Sequence, residues 1–181
     1  MYDSILIPTD GSQDMAPVVE QAIELATLCE ADLHVVHVVD ERAYHSVPDD
    51  IRETVRETLQ ADGESFTKSI AERAVDAGLE VVRELRWGDP AAAILSYAVE
   101  NEIGAIVMGT HGRTGYERFL LGSVAEKVVR AAPVPVLAIA VGDTDQQKAA
   151  ISATAVEDRV QQADADASDA LDTDADSPTW Q

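Results

Sequence analysis

The 181-residue sequence has one cysteine, Cys29. A single cysteine cannot form an internal disulfide framework, and it cannot build a cysteine-based metal site by itself. Apolar residues at Met15, Val18, Ala22 and Leu25 precede it with the spacing of one helix face. We therefore predict that the thiol fills part of a core rather than acting as a reactive group.

Long apolar runs are also missing. The longest run, residues 131–141, is too short to cross a bilayer and contains Pro133 and Pro135. The segment MYDSILIPTD at the N-terminus lacks the basic-then-apolar order of a secretory signal. These absences predict a cytoplasmic protein with no membrane partner.

Positive charge is scarce. The chain has 13 basic and 34 acidic residues, a formal net charge of −21, and arginine is more frequent than lysine. Such a charge repels nucleic-acid phosphates, so we expect no nucleic-acid partner. A carboxylate-rich surface is typical of halophilic proteins, in which salt screens the self-repulsion. An ordinary acidic protein with an acidic tail explains the composition equally well.

Composition changes near Gly142. Residues 142–181 carry ten acidic and two basic side chains and have almost no periodic apolar signal. Such a segment buries too little apolar surface to offset the entropy lost on ordering. We predict one folded domain over residues 1–141 and an acidic, low-complexity, disordered tail over residues 142–181.

Short apolar runs alternate with amphipathic stretches in the first 141 residues, which is typical of parallel strands joined by crossover helices. Strands are predicted over residues 4–9, 32–40, 79–87, 105–108 and 134–139. Helices are predicted to begin between residues 12 and 17, to run from about 51 to 78, from 90 to 104, and from 123 to 133. Asp89 is expected to cap the third helix, and Ser123 with Glu126 has the spacing of a capping box for the fourth.

The connection between the fourth strand and the fourth helix is GTHGRTGYERFLLGSV. Gly109, Gly112 and Gly122 allow backbone amides to approach a phosphate closely, and a helix N-terminus adds unpaired N–H groups. The Arg113 guanidinium and the hydroxyls of Thr110 and Ser123 could complete such a site. Equally, the glycines could serve only turns and the serine could only cap its helix.

The first strand supplies a second candidate element. No Walker pattern and no G-x-G-x-x-G pattern occurs in the chain. Instead, PTDGS places Asp10 and Gly11 at the carboxyl edge of the predicted sheet, where ligands of open α/β folds bind. A carboxylate there can accept from ribose hydroxyls or an adenine amine, or it can cap a turn.

The histidines give no catalytic or metal-binding assignment. His34 and His37 are three residues apart on the second strand, so they face opposite sides of the sheet and cannot share a metal there. His111 lies inside the glycine-rich connection, where it could act as an acid, a base or a phosphate contact. We predict an exposed loop residue instead.

Taken together, these motifs resemble the nucleotide-binding type of the universal stress protein family. The resemblance rests on the spacing Gly109-x2-Gly112-x9-Gly122-Ser123 and on four segments in the family's order: ILIPTDGS, HVVHVVD, GDPAAAIL and PVPVLAI. It covers residues 2–140. It implies a doubly wound parallel sheet of five strands in the order 3-2-1-4-5, with four flanking helices.

The resemblance also implies a ligand and its contacts. The ligand would be an adenine nucleotide, ATP with or without Mg²⁺, lying across the ends of strands one and four. Asp10 and Val38 would contact the ribose or adenine. The residues implied to hold the phosphates are Gly109, Gly112, Gly122, Ser123 and Val124.

The expected role is that of a stress-response sensor or regulator that acts on a client protein. The resemblance implies a homodimer joined through strand five, by way of Val134, Val136 and Ala138. A slow ATP hydrolase or phosphotransferase is one alternative, with Asp10 on Mg²⁺ and His111 or Arg113 at the γ-phosphate. A nucleotide-free interaction scaffold is another.

Overall fold

The computed structural model describes residues 1–45, 47–111 and 121–141. Gly112, Arg113 and the predicted acidic tail over residues 142–181 lie outside these ranges. Within the described ranges, no helix is both long and apolar enough to span a membrane.

The described chain forms one five-stranded parallel sheet in the order β3-β2-β1-β4-β5. The strands are β1 Ser4–Thr9, β2 Asp32–Asp40, β3 Val81–Gly88, β4 Ala105–Gly109 and β5 Val136–Ile139. The predicted fold class and strand order are confirmed. The central strands β1 and β4 are almost fully buried, as expected for a parallel sheet covered on both faces.

Helices cover both faces of the sheet. They are α1 Ala16–Cys29, preceded by a 3-10 turn at Gln13–Met15, then α2 Glu41–His45, α3 Arg52–Asp76, α4 Pro90–Glu100 and α5 Ser123–Ala131. The four longer helices correspond to the four predicted ones, and the short α2 was not predicted. Ile5 and Ile7 of β1 pack on the side of α1 and α3, whereas Leu6 packs on the side of α4 and α5.

Several predicted details at element ends are wrong. Gly122 precedes α5 as its N-cap without a side-chain cap, so Ser123 and Glu126 do not form the predicted capping box. Glu126 instead pairs with Arg130 along the helix. Strand β5 starts at Val136 rather than residue 134, and β3 starts at Val81 rather than residue 79.

Helix α4 buries one face. Ile94, Tyr97 and Ala98 are buried, whereas Val99 lies on another face of the helix and is 65% exposed. Asp89 caps α4 as predicted, since its carboxylate accepts from the backbone N–H of residue 92 at 3.1 Å. Cys29 is half-buried and packs against the core under α1.

Candidate functional site

A cavity of about 360 Å³ opens at the carboxyl ends of β1, β2 and β4. This is the edge at which ligands of open parallel sheets bind. Six of the eight predicted site residues line it: Asp10, Val38, Gly109, Gly122, Ser123 and Val124. The other two, Gly112 and Arg113, lie outside the described residues. The fold thus brings together positions that are more than one hundred residues apart in sequence.

The end of β1 forms a tight turn that fixes Asp10. The Gly11 amide donates to the Thr9 hydroxyl at 3.1 Å, and the Ser12 amide donates to Oδ1 of Asp10 at 3.0 Å. Gly11 has φ +73°, and a Cβ on it would overlap the ring of Phe66. Asp10 therefore caps a turn and lines the cavity at once, so the two roles considered from the sequence do not exclude each other.

His37 forms part of the cavity lining next to β1, a role that the sequence did not suggest. Its Nδ1–H donates to the Thr9 carbonyl oxygen at 2.8 Å, and its ring meets Phe66 edge to face at 5.5 Å between centroids. A Cβ on Gly63 of α3 would lie 2.7 Å from Cδ2 of His37. The imidazole is thus enclosed by the first strand and α3, and it holds the end of β1 in place.

The chain that leaves β4 is tied to both β5 and α5. The Thr110 amide donates to the Ile139 carbonyl, and the Gly122 amide donates to the Thr110 carbonyl, each at 2.8 Å. A Cβ on Gly109 would meet the His111 carbonyl oxygen and a methyl of Val141, both at 3.2 Å. Glycine at 109 therefore permits the close return of the chain as well as any close approach of a ligand.

The start of α5 lines the same side of the cavity. Gly122 has φ −58° and ψ 149°, a conformation that any residue adopts, so the backbone does not require glycine there. Its missing side chain leaves room in the cavity wall. Ser123 and Val124 belong to the first helical turn, whose N–H groups have no intrahelical acceptor and lie at the positive end of the helix dipole. This side of the cavity is suited to an anion.

His111 is half-buried and lines the cavity, so the prediction of an exposed loop residue is wrong. Its Nδ1 lies 3.0 Å from the Thr110 hydroxyl. Its Nε2 is shielded from solvent and has no hydrogen-bond partner in the part of the chain that the structure describes.

Apolar side chains from both sides of the sheet line much of the rest of the cavity. They are Leu59 of α3, Pro90 and Ile94 of α4, and the two methionines Met15 and Met108. Leu59 and Ile94 belong to the apolar faces of α3 and α4. Helical spacing of apolar residues predicts that such positions are buried, but it does not show whether they face a cavity or packed core.

A row of charged side chains borders the cavity: Asp40, Arg42, Asp89 and Lys127. Asp40, which lines the cavity, accepts two hydrogen bonds from the Arg42 guanidinium, and these hold the pKa of its carboxyl below the ordinary value. Arg42 also lies 3.5 Å from Asp89, and Lys127 lies 3.8 Å from the same carboxylate. These side chains are partly or largely exposed, so each pair adds little stability.

His34 lies on the opposite face of the sheet from His37, as predicted. Its Nδ1 is 2.8 Å from the Tyr97 hydroxyl, and burial lowers its pKa. Arg86 lies over the Tyr97 ring at 4.7 Å from the centroid. Among the described residues, no cluster of three histidine, cysteine or acidic side chains could hold a metal ion.

The chain is similar in sequence and in structure to known proteins. The chain is 36% identical over 140 residues to the universal stress protein MJ0531 of Methanocaldococcus jannaschii, covering 77% of this chain and 82% of the relative. The solved structure of the hypothetical protein MJ0577 superposes with a TM-score of 0.72 at 29% identity, covering 80% of this chain and 99% of that one.

A universal stress protein from Archaeoglobus fulgidus, solved in complex with dAMP, superposes with a TM-score of 0.52 at 28% identity, over 78% of this chain and 98% of that one. Residues 1–140 match the sequence profile of the Universal stress protein family. That match spans every strand and helix described above, and the chain therefore belongs to the universal stress protein family.

Proposed function

We propose that the cavity binds an adenine nucleotide and that ATP, with Mg²⁺, is its physiological ligand. One observation carries the proposal. The cavity brings the Asp10 carboxylate and the Val38 backbone to one side, and Gly109, Gly122 and the N-terminus of α5 to the other. The first pair suits a ribose and base, and the second set suits phosphates.

A related structure supports the choice of base. The Archaeoglobus fulgidus protein, at 28% identity, was solved with dAMP, which is an adenine nucleotide. The same binding mode here would place the adenine against apolar lining residues such as Leu59, Pro90 and Ile94, and the phosphate at the first turn of α5. A longer phosphate chain would extend toward Gly109 and Gly122, at the two ends of the glycine-rich connection.

The protein's charge makes local donors necessary. A chain with a net charge of −21 repels an anionic ligand at long range, so affinity must come from short-range contacts inside the cavity. The helix dipole of α5 contributes the equivalent of about half a positive charge. Mg²⁺ bound to the phosphates would reduce the remaining repulsion.

We further propose that the nucleotide regulates a homodimer joined through β5. This strand is at the edge of the described sheet, and Leu137 on β5 and Val129 on α5 are more than 40% exposed. Apolar edge strands favour pairing with a second chain. The Thr110 amide links the end of β5 to the phosphate side of the cavity, so a ligand there can influence the strand. The dimer would act in the cytoplasm on a client protein.

The experiment identifies nucleotide in the purified protein. Protein prepared in molar potassium chloride without added ligand is denatured, and released nucleotide is identified by chromatography. Calorimetry then measures binding of MgATP. Gly122→Val fills the cavity wall and should abolish binding, whereas Ala61→Val adds similar bulk on the exposed face of α3 and should leave it intact.

Wild-type protein that contains no nucleotide and ignores MgATP would contradict the proposal. Equal binding by wild type and Gly122→Val would show that the ligand lies elsewhere. Light scattering with and without MgATP tests the second half of the proposal. A monomer at micromolar concentration under both conditions would contradict the dimer while leaving the nucleotide site unaffected.

A further inference from the structure

Four charged side chains make a continuous series of contacts along the rim of the cavity. The guanidinium of Arg42, on α2, donates to both carboxylate oxygens of Asp40, at 3.1 and 2.9 Å. It also lies 3.5 Å from Oδ2 of Asp89, and the ammonium of Lys127 lies 3.8 Å from the same oxygen. Negative and positive groups therefore alternate from the end of β2 to α5. Together these four residues form the rim network.

The rim network joins three elements that line the cavity. Asp40 is the last residue of β2 and lines the cavity itself. Asp89 is the N-cap of α4 and directly precedes Pro90, which is a lining residue. Lys127 lies about one turn along α5 from Ser123, which also lines the cavity. The network thus ties the side of the cavity formed by β2 and α4 to the side formed by α5.

Asp89 has two tasks, one for each carboxylate oxygen. Oδ1 accepts from the backbone N–H of residue 92 and caps α4. Oδ2 is the shared partner of Arg42 and Lys127. An asparagine side chain can keep the acceptor of the cap, but it has no charge with which to hold two cations. The two tasks can therefore be separated by one substitution.

We propose that Asp89 is a positioning residue for ligand binding, because it holds α2 and α5 in the arrangement that the ligand requires. The inference rests on the proposed nucleotide-binding function. Arg42 and Lys127 are both more than half exposed, so their ion pairs add little to the stability of the fold. Their effect is on binding instead. A rim that is already ordered in the empty protein does not have to be ordered by the ligand.

The test measures the dissociation constant of MgATP by calorimetry with the full chain, in about 0.15 M potassium chloride. Asp89→Asn should weaken binding by about two- to tenfold, because the ligand must then supply what the lost ion pairs contributed to ordering the rim. Glu72→Gln is the matched control. It also removes one carboxylate and one exposed ion pair, with Lys68 on the C-terminal half of α3. It should not weaken binding.

Loss of charge alone predicts the opposite result for Asp89→Asn. The protein has a net charge of −21, so removing a carboxylate should make it bind an anion more tightly. Higher salt provides a second check. In about 1 M potassium chloride the Debye length falls to about 3 Å, which screens the exposed ion pairs of the rim network. The affinities of wild type and Asp89→Asn should therefore converge, and a difference that persists undiminished would overturn the ionic role.

A double-mutant cycle identifies the partner of Asp89. Lys127→Gln should weaken MgATP binding on its own, but it should add little in the Asp89→Asn background, because both substitutions break the same contact. Losses that simply add would mean that Lys127 and Asp89 act on the ligand separately. That result would overturn the positioning role of Asp89.

The outcomes separate this inference from the proposed function. Wild-type protein that binds no MgATP overturns both. Wild type that binds MgATP, with Asp89→Asn binding it equally or more tightly, overturns the role of Asp89 and leaves the nucleotide site standing. If empty Asp89→Asn melts as early as Asp89→Ala, the cap has been lost as well. Lys127→Gln, which leaves the cap in place, then decides, and an unchanged affinity in that variant overturns the inference.

Discussion

Gly63 tests how closely α3 packs against β2 and β3. This glycine is buried in the middle of a 25-residue helix, where glycine is normally unfavourable. A Cβ at this position would overlap Cδ1 of Leu85 and lie 2.7 Å from Cδ2 of His37. We infer that glycine is present because α3 lies too close to β2 and β3 for any side chain.

Two opposing terms decide the effect of Gly63→Ala. Replacing glycine by alanine in a helix interior gains about 1 kcal/mol of helix propensity. Inserting a methyl group into a well-packed site costs about 1–3 kcal/mol. His37 cannot retreat freely, because its Nδ1–H is bound to the Thr9 carbonyl and its ring packs on Phe66. We therefore take the upper part of that range and expect a net destabilisation of about 1–2 kcal/mol.

Urea denaturation followed by circular dichroism measures this difference, and Leu85→Ala provides the control. Removing the Leu85 side chain opens one of the two blocked directions, so Gly63→Ala should cost less in the Leu85→Ala background than in wild type. A Gly63→Ala protein that is more stable than wild type by about 1 kcal/mol would refute the reasoning, since only helix propensity would then be acting.

Two further predictions concern the cap of α4 and His34 of β2, which contacts Tyr97 of α4. Asp89→Ala removes the cap that accepts from the Ala92 amide and should lower the free energy of unfolding by about 1 kcal/mol in thermal melts. Asp89→Asn keeps an acceptor and should lose much less. Equal losses in the two variants would contradict the capping role. Burial lowers the pKa of His34 below its ordinary value of 6.5, so the unfolded chain binds a proton more readily than the folded protein does. The free energy of unfolding should therefore fall as the pH drops through about 6.5 and level off below the folded-state pKa. His34→Gln should lack this component when the pH profiles of the two proteins are subtracted, and identical profiles would contradict it.

Elements formed by local pattern were predicted well. The bounds of β1 and β2 agree with the sequence prediction to the residue, because dense apolar and β-branched runs end at polar residues on both sides. A long-range hydrogen bond accompanies one detail that was missed. The predicted start of α5 at residue 123 is correct, but its N-cap is Gly122 rather than Ser123. The Gly122 amide donates to the Thr110 carbonyl twelve residues earlier, and no local spacing records that bond.

Some residues that line the cavity could likewise be predicted from the sequence, and others could not. Asp10 and Gly109 could be placed at the cavity because they sit at chain positions where strands end, which the sequence marks directly. His37 and Leu59 were missed because their roles depend on how closely α3 approaches the sheet, and that distance is set by Gly11 and Gly63. Glycines within a helix usually suggest weakness or a break. Here Gly63 marks a close contact.

The proposed binding of an anion by a strongly acidic chain is compatible with the structure. Acidic side chains near the cavity are already engaged: Asp10 by the Ser12 amide, and Asp40 by Arg42. Donors on the phosphate side come mainly from the backbone at the start of α5, and backbone dipoles persist whatever the surface charge. Selection for an acidic surface, as in a protein adapted to salt, can therefore proceed without weakening the phosphate side of the cavity. A site built from lysines would not have allowed this, because each would pair with the surrounding carboxylates.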